Sequence, residues 1–414
     1  MLGSSPLTGL PDPGAVRQVP ATPAPRREAW LDGVRGLLLV LMALNHIDSP
    51  LRLLTFQTFG YASAAEGFLF VSGLTVGLVY TRRWLARGRP AMVSRAMRRV
   101  VAIYACHVLP LVAILALSRL APAWIGELPL VRPDPGPAAA LAPLLVSSLT
   151  LLYQPLLFDI LPLYVLSVAV APWILVGFDR GWGRRIGVAS AGLWLLAQWS
   201  PPSAWVYALG DRLPVWRSGF DWAAFQVLFV SGLYLGHRWA RGETLPPSRT
   251  MWPWHGAALV VAVAGFLLRI AERLATGPLQ WQALGTAKNG FLGLVASLAT
   301  DQSVFGRPVL APGRLMNVAA LIVVCLLLAP YLRRLVEGRW LTLLGRHALA
   351  LYAIHVVCVY VMMPVTRPLR GRWHFGGPFS AAGIEHAGWA LLLLTLLTGV
   401  AFLLDRRHAD ARRH

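Results

Sequence analysis

The sequence contains little charge, since Asp, Glu, Lys and Arg together make up 14% of its 414 residues. This scarcity excludes an ordinary soluble domain, because 56% of the residues are hydrophobic and the mean hydropathy is +0.58. Lysine is almost absent: Lys288 stands alone against 37 arginines. In a soluble domain a net charge of +20 would suggest nucleic acid. Here the arginines cluster between apolar segments, which indicates membrane topology and attraction to anionic lipid headgroups, with no nucleic-acid partner.

Cysteine is also scarce, and Cys106, Cys325 and Cys358 all lie inside apolar runs. Core thiols are therefore predicted, rather than disulfides or metal ligands. The sequence lacks Walker, Rossmann, zinc and nucleophile-elbow patterns, so we predict no metal and no tightly bound cofactor. Residues 1–29 lack the apolar core of a signal peptide and contain six prolines. They are predicted to form a disordered, Pro-rich cytoplasmic tail.

Long apolar runs fill most of the remaining chain and predict an all-α polytopic membrane protein with about ten transmembrane helices. The candidate spans are 34–54, 63–81, 100–118, 159–178, 186–200, 222–238, 254–274, 316–335, 347–365 and 388–405. Placing the arginine-rich connections in the cytoplasm puts both termini there as well. Residues 30–405 would form one transmembrane domain and 406–414 a basic cytoplasmic tail. Whether 138–157 spans the membrane is open, as is the oligomeric state, a homodimer included.

The segment Trp30–Gly36 and the apolar helix that it runs into place Asp32, Arg35 and His46 at or near membrane depth. A charge at membrane depth costs ~3 kcal/mol or more, so function is the default hypothesis for these side chains. Arg35 and His46 are eleven residues apart, close to three helical turns, and therefore share a helix face. Asp32 lies one turn before Arg35 and can pair with it. His46 is the best candidate for a catalytic base, against the alternative of a histidine bonded to a neighbouring group.

Two carboxylates at the starts of later spans are further candidates. Glu66 could orient the imidazole or contact an acceptor sugar, or it could be a favourable acid at a helix N-terminus. Asp159 could contact the acceptor or cap its helix.

Basic residues form the remaining candidate sites. Within the seven arginines of 82–99, Arg95, Arg98 and Arg99 have helical neighbour spacing suited to a phosphate-rich ligand such as coenzyme A. Most arginines of that stretch are interpreted as determinants of membrane topology. Arg314, His347 and His355 are weaker candidates, and His355 is favoured as a satisfied intramembrane histidine over a second base.

Two segments of the sequence echo each other. Leu69-Phe70-Val71-Ser72-Gly73-Leu74 is repeated at Leu228-Phe229-Val230-Ser231-Gly232-Leu233, with Gly77 and Gly236 following at small-xxx-small spacing. Independent helix-packing motifs are favoured over an internal duplication.

An Arg and a His separated by ten residues in the first helix resemble the membrane acyltransferase superfamily called acyltransferase family 3. Within it the chain is most similar to the OpgC family. The resemblance rests on Leu31–Gly36, Ser63–Phe68, Arg95–Tyr104, Asp159–Tyr164, Phe225–Phe229 and Leu344–Leu349. It implies a ten-helix acyltransferase domain in the bacterial inner membrane that transfers succinyl groups to osmoregulated periplasmic glucans. The succinyl groups would come from a cytoplasmic succinyl-CoA pool.

The residues and the resemblance together predict one mechanism. Arg95, Arg98, Arg99 and Arg35 hold the phosphates of an acyl-CoA, and His46 deprotonates a hydroxyl of a periplasmic glycan. Succinyl transfer would need a further cation near the acyl pocket, for which Arg314 and Lys288 are candidates. Three alternatives stay open: O-acetylation of lipopolysaccharide or exopolysaccharide from acetyl-CoA, transport of a glycan or lipid, and a structural role beside a glucan synthase.

Overall fold

The computed structural model describes residues 28–126, 141–202, 204, 219–243, 252–276 and 291–410. Within these ranges the chain forms helices, turns and short loops, with no strand. Lys288 and residues 1–27 of the predicted tail lie outside the described residues. In chain order the α-helices are α1 (Ala29–Ile47), α2 (Arg52–Thr55), α3 (Ala64–Leu120), α4 (Leu141–Leu149), α5 (Ile160–Asp179), α6 (Gly183–Trp199), α7 (Trp222–Ala240), α8 (Trp252–Thr276), α9 (Phe291–Thr300), α10 (Gln302–Phe305), α11 (Pro312–Leu327), α12 (Ala329–Val336), α13 (Arg339–Arg346), α14 (Ala348–Gly376) and α15 (Ala381–Asp410).

Five of the described helices, α1, α3, α5, α14 and α15, are long and apolar enough to cross a membrane. The pair α11 and α12 would be a sixth span, bent by 84°. The predicted helical membrane class is thereby confirmed, while the count of ten and the sides of the termini stay predictions. The described part of 138–157 contains only α4, whose nine residues are too short to span. At the other end, α15 continues to Asp410, so the predicted basic tail is helical up to that residue.

Gly88 divides α3 into two helical halves at a kink. Its φ of 78° and ψ of 171° are non-helical, and glycine reaches a positive φ without steric cost. The side chain of Arg83 donates to the carbonyl of Ala91 at 3.1 Å, and Tyr80 lies in the field of Arg95. A straight helix would hold these residues too far apart, so the contacts require a sharp bend at Gly88. The predicted connection 82–99 is therefore two helix ends that meet at one residue, rather than a loop.

The first helix ends earlier than the predicted span 34–54. It stops at Ile47, and Asp48 adopts a left-handed conformation with φ 56°. Pro50 disfavours a helical conformation in the residue before it, so the apolar pattern beyond it does not prolong the helix. The carboxylate of Asp48 then pairs with Arg52 and, at 2.5 Å, with Arg370 of α14.

The echoing segments pack directly against each other across α3 and α7. A methyl group on Gly73 would lie 2.2 Å from the carbonyl oxygen of Phe229, and one on Gly236 would lie 2.1 Å from that of Leu74. Only glycine allows the two backbones to come this close. The structure thus confirms the interpretation of these glycines as helix-packing residues.

A second close crossing joins α1 to α13. A methyl group on Gly36 would lie 2.0 Å from the carbonyl oxygen of Leu341, and one on Gly345 would lie 1.6 Å from that of Asp32. Since α14 begins directly after α13, this crossing fixes where the last two long helices start relative to the first.

Valine at Gly236 should therefore destabilise the protein. Its side chain would overlap the backbone of α3, and overpacking of this kind costs about 1–3 kcal/mol. Gly399→Val in α15 is the matched control, because nothing lies within 4 Å of a methyl group placed there. Thermal unfolding in detergent should show a lower midpoint for Gly236→Val alone. Equal midpoints for the two variants would contradict the close crossing.

Candidate active site

Two histidines from distant parts of the sequence meet inside the helix bundle. Nδ1 of His46, in the last turn of α1, lies 2.8 Å from Nε2 of His355 in α14. Their rings stack with centroids 5.1 Å apart and planes inclined by 16°. His355 is fully buried, whereas His46 retains some exposure. The predicted satisfied histidine and the predicted base are thus direct partners.

The hydrogen bonds of this pair assign a tautomer to each ring. Nδ1 of His355 lies 2.5 Å from the backbone carbonyl of Tyr352, which can only accept, so this nitrogen carries the proton. In a neutral His355 the other nitrogen, Nε2, then accepts from Nδ1–H of His46. A neutral His46 is left with a bare lone pair on Nε2. The arrangement presents a nitrogen ready to remove a proton from a hydroxyl group.

Tyr352 connects the histidine pair to the loop before α5. Its ring packs edge-on against His355 with centroids 4.7 Å apart, and its hydroxyl donates to the carbonyl of Leu157 at 2.7 Å. Two residues further on, the carboxylate of Asp159 accepts from the backbone N–H of Gly219 at 3.2 Å and makes no cap to α5. Contact with the acceptor, the other role predicted for Asp159, stays a prediction. Burial raises the pKa of the Asp159 carboxyl, while the charge of Arg307 acts in the opposite direction.

Glu66 is paired with Arg314 rather than with His46. One carboxylate oxygen accepts from Nε of Arg314 at 2.8 Å and lies 2.7 Å from its Nη2. The other accepts from the backbone and hydroxyl of Ser63, which forms a capping box at the start of α3. Both side chains of the ion pair are buried. Glu66 thus lies at the helix N-terminus and pairs with Arg314, whereas its predicted role beside the imidazole and that of Arg314 as the acyl-binding cation stay predictions.

Arg307 is the site residue that the sequence did not single out. Its positive charge acts on His46, Glu66 and Asp159, and its guanidinium lies 4.3 Å from the ring centroid of Phe220. It lies between α10 and α11 rather than in an apolar span. Nothing in the local pattern distinguishes it from the other loop arginines.

A second group of charged residues lies at the other end of the bundle, around two tyrosines. Arg35 and Arg99 both act on Tyr164, and Arg99 lies 6.0 Å from its ring centroid. Arg95 joins them near Tyr80. We call Arg35, Arg95 and Arg99 the arginine cluster. The structure thus brings together three of the four predicted phosphate-binding arginines.

The structure also places the remaining candidates. Arg98 donates to Ser94 at 2.8 Å on an exposed face of α3. His347 lies 3.5 Å from Asp405 in α15. Asp32 is 5% exposed where α1 crosses α13, so it packs within the crossing. Lys288 lies outside the described residues.

A family model described as OpgC protein matches residues 27–409. The chain belongs to the OpgC family. No curated protein and no solved structure matches it. The match covers the histidine pair, Arg307 and the arginine cluster, so both groups of this OpgC family member lie within the family region.

The buried ion pair of Glu66 and Arg314 should contribute to the stability of this OpgC family member. Glu66→Leu leaves a buried, unpaired guanidinium and should cost about 3–5 kcal/mol. Adding Arg314→Met removes that charge as well and should recover most of the loss. Denaturant unfolding of wild type, both single variants and the double variant gives the coupling energy. Additive losses in the double variant would show that the two side chains do not stabilise each other.

Proposed function

We propose that the protein is a membrane O-acyltransferase that moves an acyl group, with succinyl as the best candidate, from a cytoplasmic acyl-CoA to a hydroxyl of a periplasmic glucan or other glycan. The observation that carries the proposal is the bare Nε2 that the hydrogen bonds of His355 assign to His46. Membership of the OpgC family supports the same reaction type. The proposal also assigns the protein to acyltransferase family 3 and to the bacterial inner membrane.

The arginine cluster serves as the donor site. Guanidinium groups bind phosphate through paired N–H donors, and Arg35, Arg95 and Arg99 converge from two helices. The positive-inside rule places this end of the bundle in the cytoplasm, with Arg98 at its margin. Arg35 and His46 are about 16 Å apart along α1. An extended pantetheine arm covers that distance, so a thioester held by its phosphates reaches His46.

The reaction proceeds without a covalent enzyme intermediate. Nε2 of His46 takes the proton of the acceptor hydroxyl as its oxygen attacks the thioester carbonyl. The new C–O bond forms, the C–S bond breaks, and the departing sulfur takes the proton back from His46. His355 keeps the imidazole oriented through both proton transfers.

The acceptor approaches from the other end of the bundle. Asp159 and the fixed pair of Glu66 and Arg314 lie on this side, at the starts of α5, α3 and α11. Asp159 can accept a hydrogen bond from a sugar hydroxyl that enters beside it. The glycan and the lipid bilayer are then the partners of the enzyme, and acyl-CoA is a substrate rather than a resident cofactor.

Replacing His46 by Ala should abolish acylation. Loss of a general base lowers rates by roughly 10²–10⁴-fold. Glycans from a deletion strain complemented with wild type, His46→Ala or His374→Ala would be compared by mass spectrometry. His374 is an exposed residue near the end of α14 and serves as the matched control.

The expected result is a succinyl mass step restored by wild type and by His374→Ala, and not by His46→Ala at equal abundance in the membrane. An acetyl step would keep the reaction type and change the donor to acetyl-CoA. Acylation retained by His46→Ala would remove His46 from the mechanism. An unchanged glycan profile with wild type would favour transport or assembly.

A further inference from the structure

Arg307 is a half-buried cation that forms no ion pair with a carboxylate of the described residues. Its Nε is buried and has no hydrogen-bond partner, and the described residues place no carboxylate within ion-pair distance of its guanidinium. The one contact recorded for this group is the ring of Phe220 at 4.3 Å. Leaving a buried charged donor unpaired is costly, so such a group is suited to a ligand that brings its own negative charge.

The loop that carries Arg307 is held in place by its backbone. The carbonyl of Pro308 accepts from the backbone N–H of Asp221 at 2.8 Å, and the carbonyl of Leu310 accepts from the indole of Trp194 at 2.9 Å. These hydrogen bonds hold the loop against the start of α7 and against α6. The backbone position of Arg307 is thereby fixed, and the ring of Phe220 packs against its guanidinium.

A continuous set of contacts joins Arg307 to the histidine pair. Phe220, under the guanidinium, follows Gly219, which donates to Asp159. Leu157 precedes Asp159 by two residues and accepts from Tyr352, whose carbonyl accepts from His355. Arg307 is therefore linked through Phe220, Asp159 and Tyr352 to the histidine pair, and its charge acts on His46.

Arg314, which the sequence predicts as a cation near the acyl group, already has a carboxylate partner. Arg314 is neutralised by Glu66 through two contacts of 2.7–2.8 Å. Arg307 has no such partner in the described part of the chain, and it is the cation whose charge acts on both His46 and Asp159.

We propose that Arg307 binds the terminal carboxylate of a dicarboxylic acyl group and thereby sets the acyl specificity of the enzyme. The inference rests on the proposed acyl transfer and deepens it. The planar guanidinium accepts a carboxylate through two parallel N–H donors, which neither an acetyl nor a neutral acyl chain can use. The carboxylate itself is unchanged by the reaction.

The experiment compares two thioesters of equal length. Succinyl-CoA and butyryl-CoA differ only in a terminal carboxylate against a methyl group. Transfer to the periplasmic glucan fraction from a deletion strain would be measured with purified wild type, Arg307→Gln and Arg307→Lys. A site built for a charged group rejects an analogue that lacks it, so wild type should prefer succinyl-CoA by about 100-fold or more in kcat/KM.

Arg307→Gln should lose that preference through lower succinyl transfer, with butyryl transfer retained. Arg307→Lys should keep part of it, because the charge remains without the bidentate geometry. Arg180→Gln is the matched control, since this arginine also lies over an aromatic ring, that of Trp182 at 5.3 Å, and follows the C-terminal end of α5, whose other end begins after Asp159.

Three outcomes would overturn the assignment. These are an unchanged donor preference in Arg307→Gln, an equal loss of both donors at normal stability, and a wild type without preference for succinyl-CoA. The second would place Arg307 in catalysis or in pairing with Asp159 instead of in specificity. Failure of wild type to transfer either acyl group would instead contradict the proposed function itself, which keeps the two tests distinct.

Discussion

The bond between Nδ1 of His46 and Nε2 of His355 is the interaction on which the site depends. It joins helices whose residues are 309 positions apart, and it ends on the carbonyl of Tyr352, a group that cannot donate. Its direction is therefore fixed, and with it the nitrogen that His46 offers to a substrate. The glycine crossings of α1 with α13 and of α3 with α7 hold the surrounding helices close enough for this bond to form.

The charged residues around that bond are of two kinds, those in a neutral ion pair and those that carry a net positive charge. The pair of Glu66 and Arg314 is internally neutral, which makes it a framework element between α3 and α11. The arginine cluster gathers positive charge at one end of the bundle, and Arg307 forms no ion pair with a described carboxylate at the other end. Substrate groups of opposite sign would complete both. A donor that carries phosphates at one end and a carboxylate at the other fits this distribution.

Much of the architecture could be predicted from the sequence, because hydropathy is a local property. The apolar segments predicted as spans are helical, except where Pro50 ends α1 and where α11 and α12 bend by 84°, although only five or six of the described helices are long and apolar enough to cross a membrane. The site was predicted in part. Arg35 and His46 share a helix, whereas the partners of His46 and Glu66 lie 309 and 248 residues away and follow no local pattern. Arg307 lies in a loop, where periodicity carries no information.

The tautomer of His46 is the quantity that tests this account most directly. Protein labelled with ¹⁵N-histidine would be studied by NMR in detergent at neutral pH, with the His46 signals assigned by their loss in His46→Gln. The account predicts a protonated Nδ1 and a bare Nε2, and a mixture of tautomers when His355 is replaced by Ala. A proton on Nε2 of His46 in the wild-type protein would contradict it, because that nitrogen could then not act as the base.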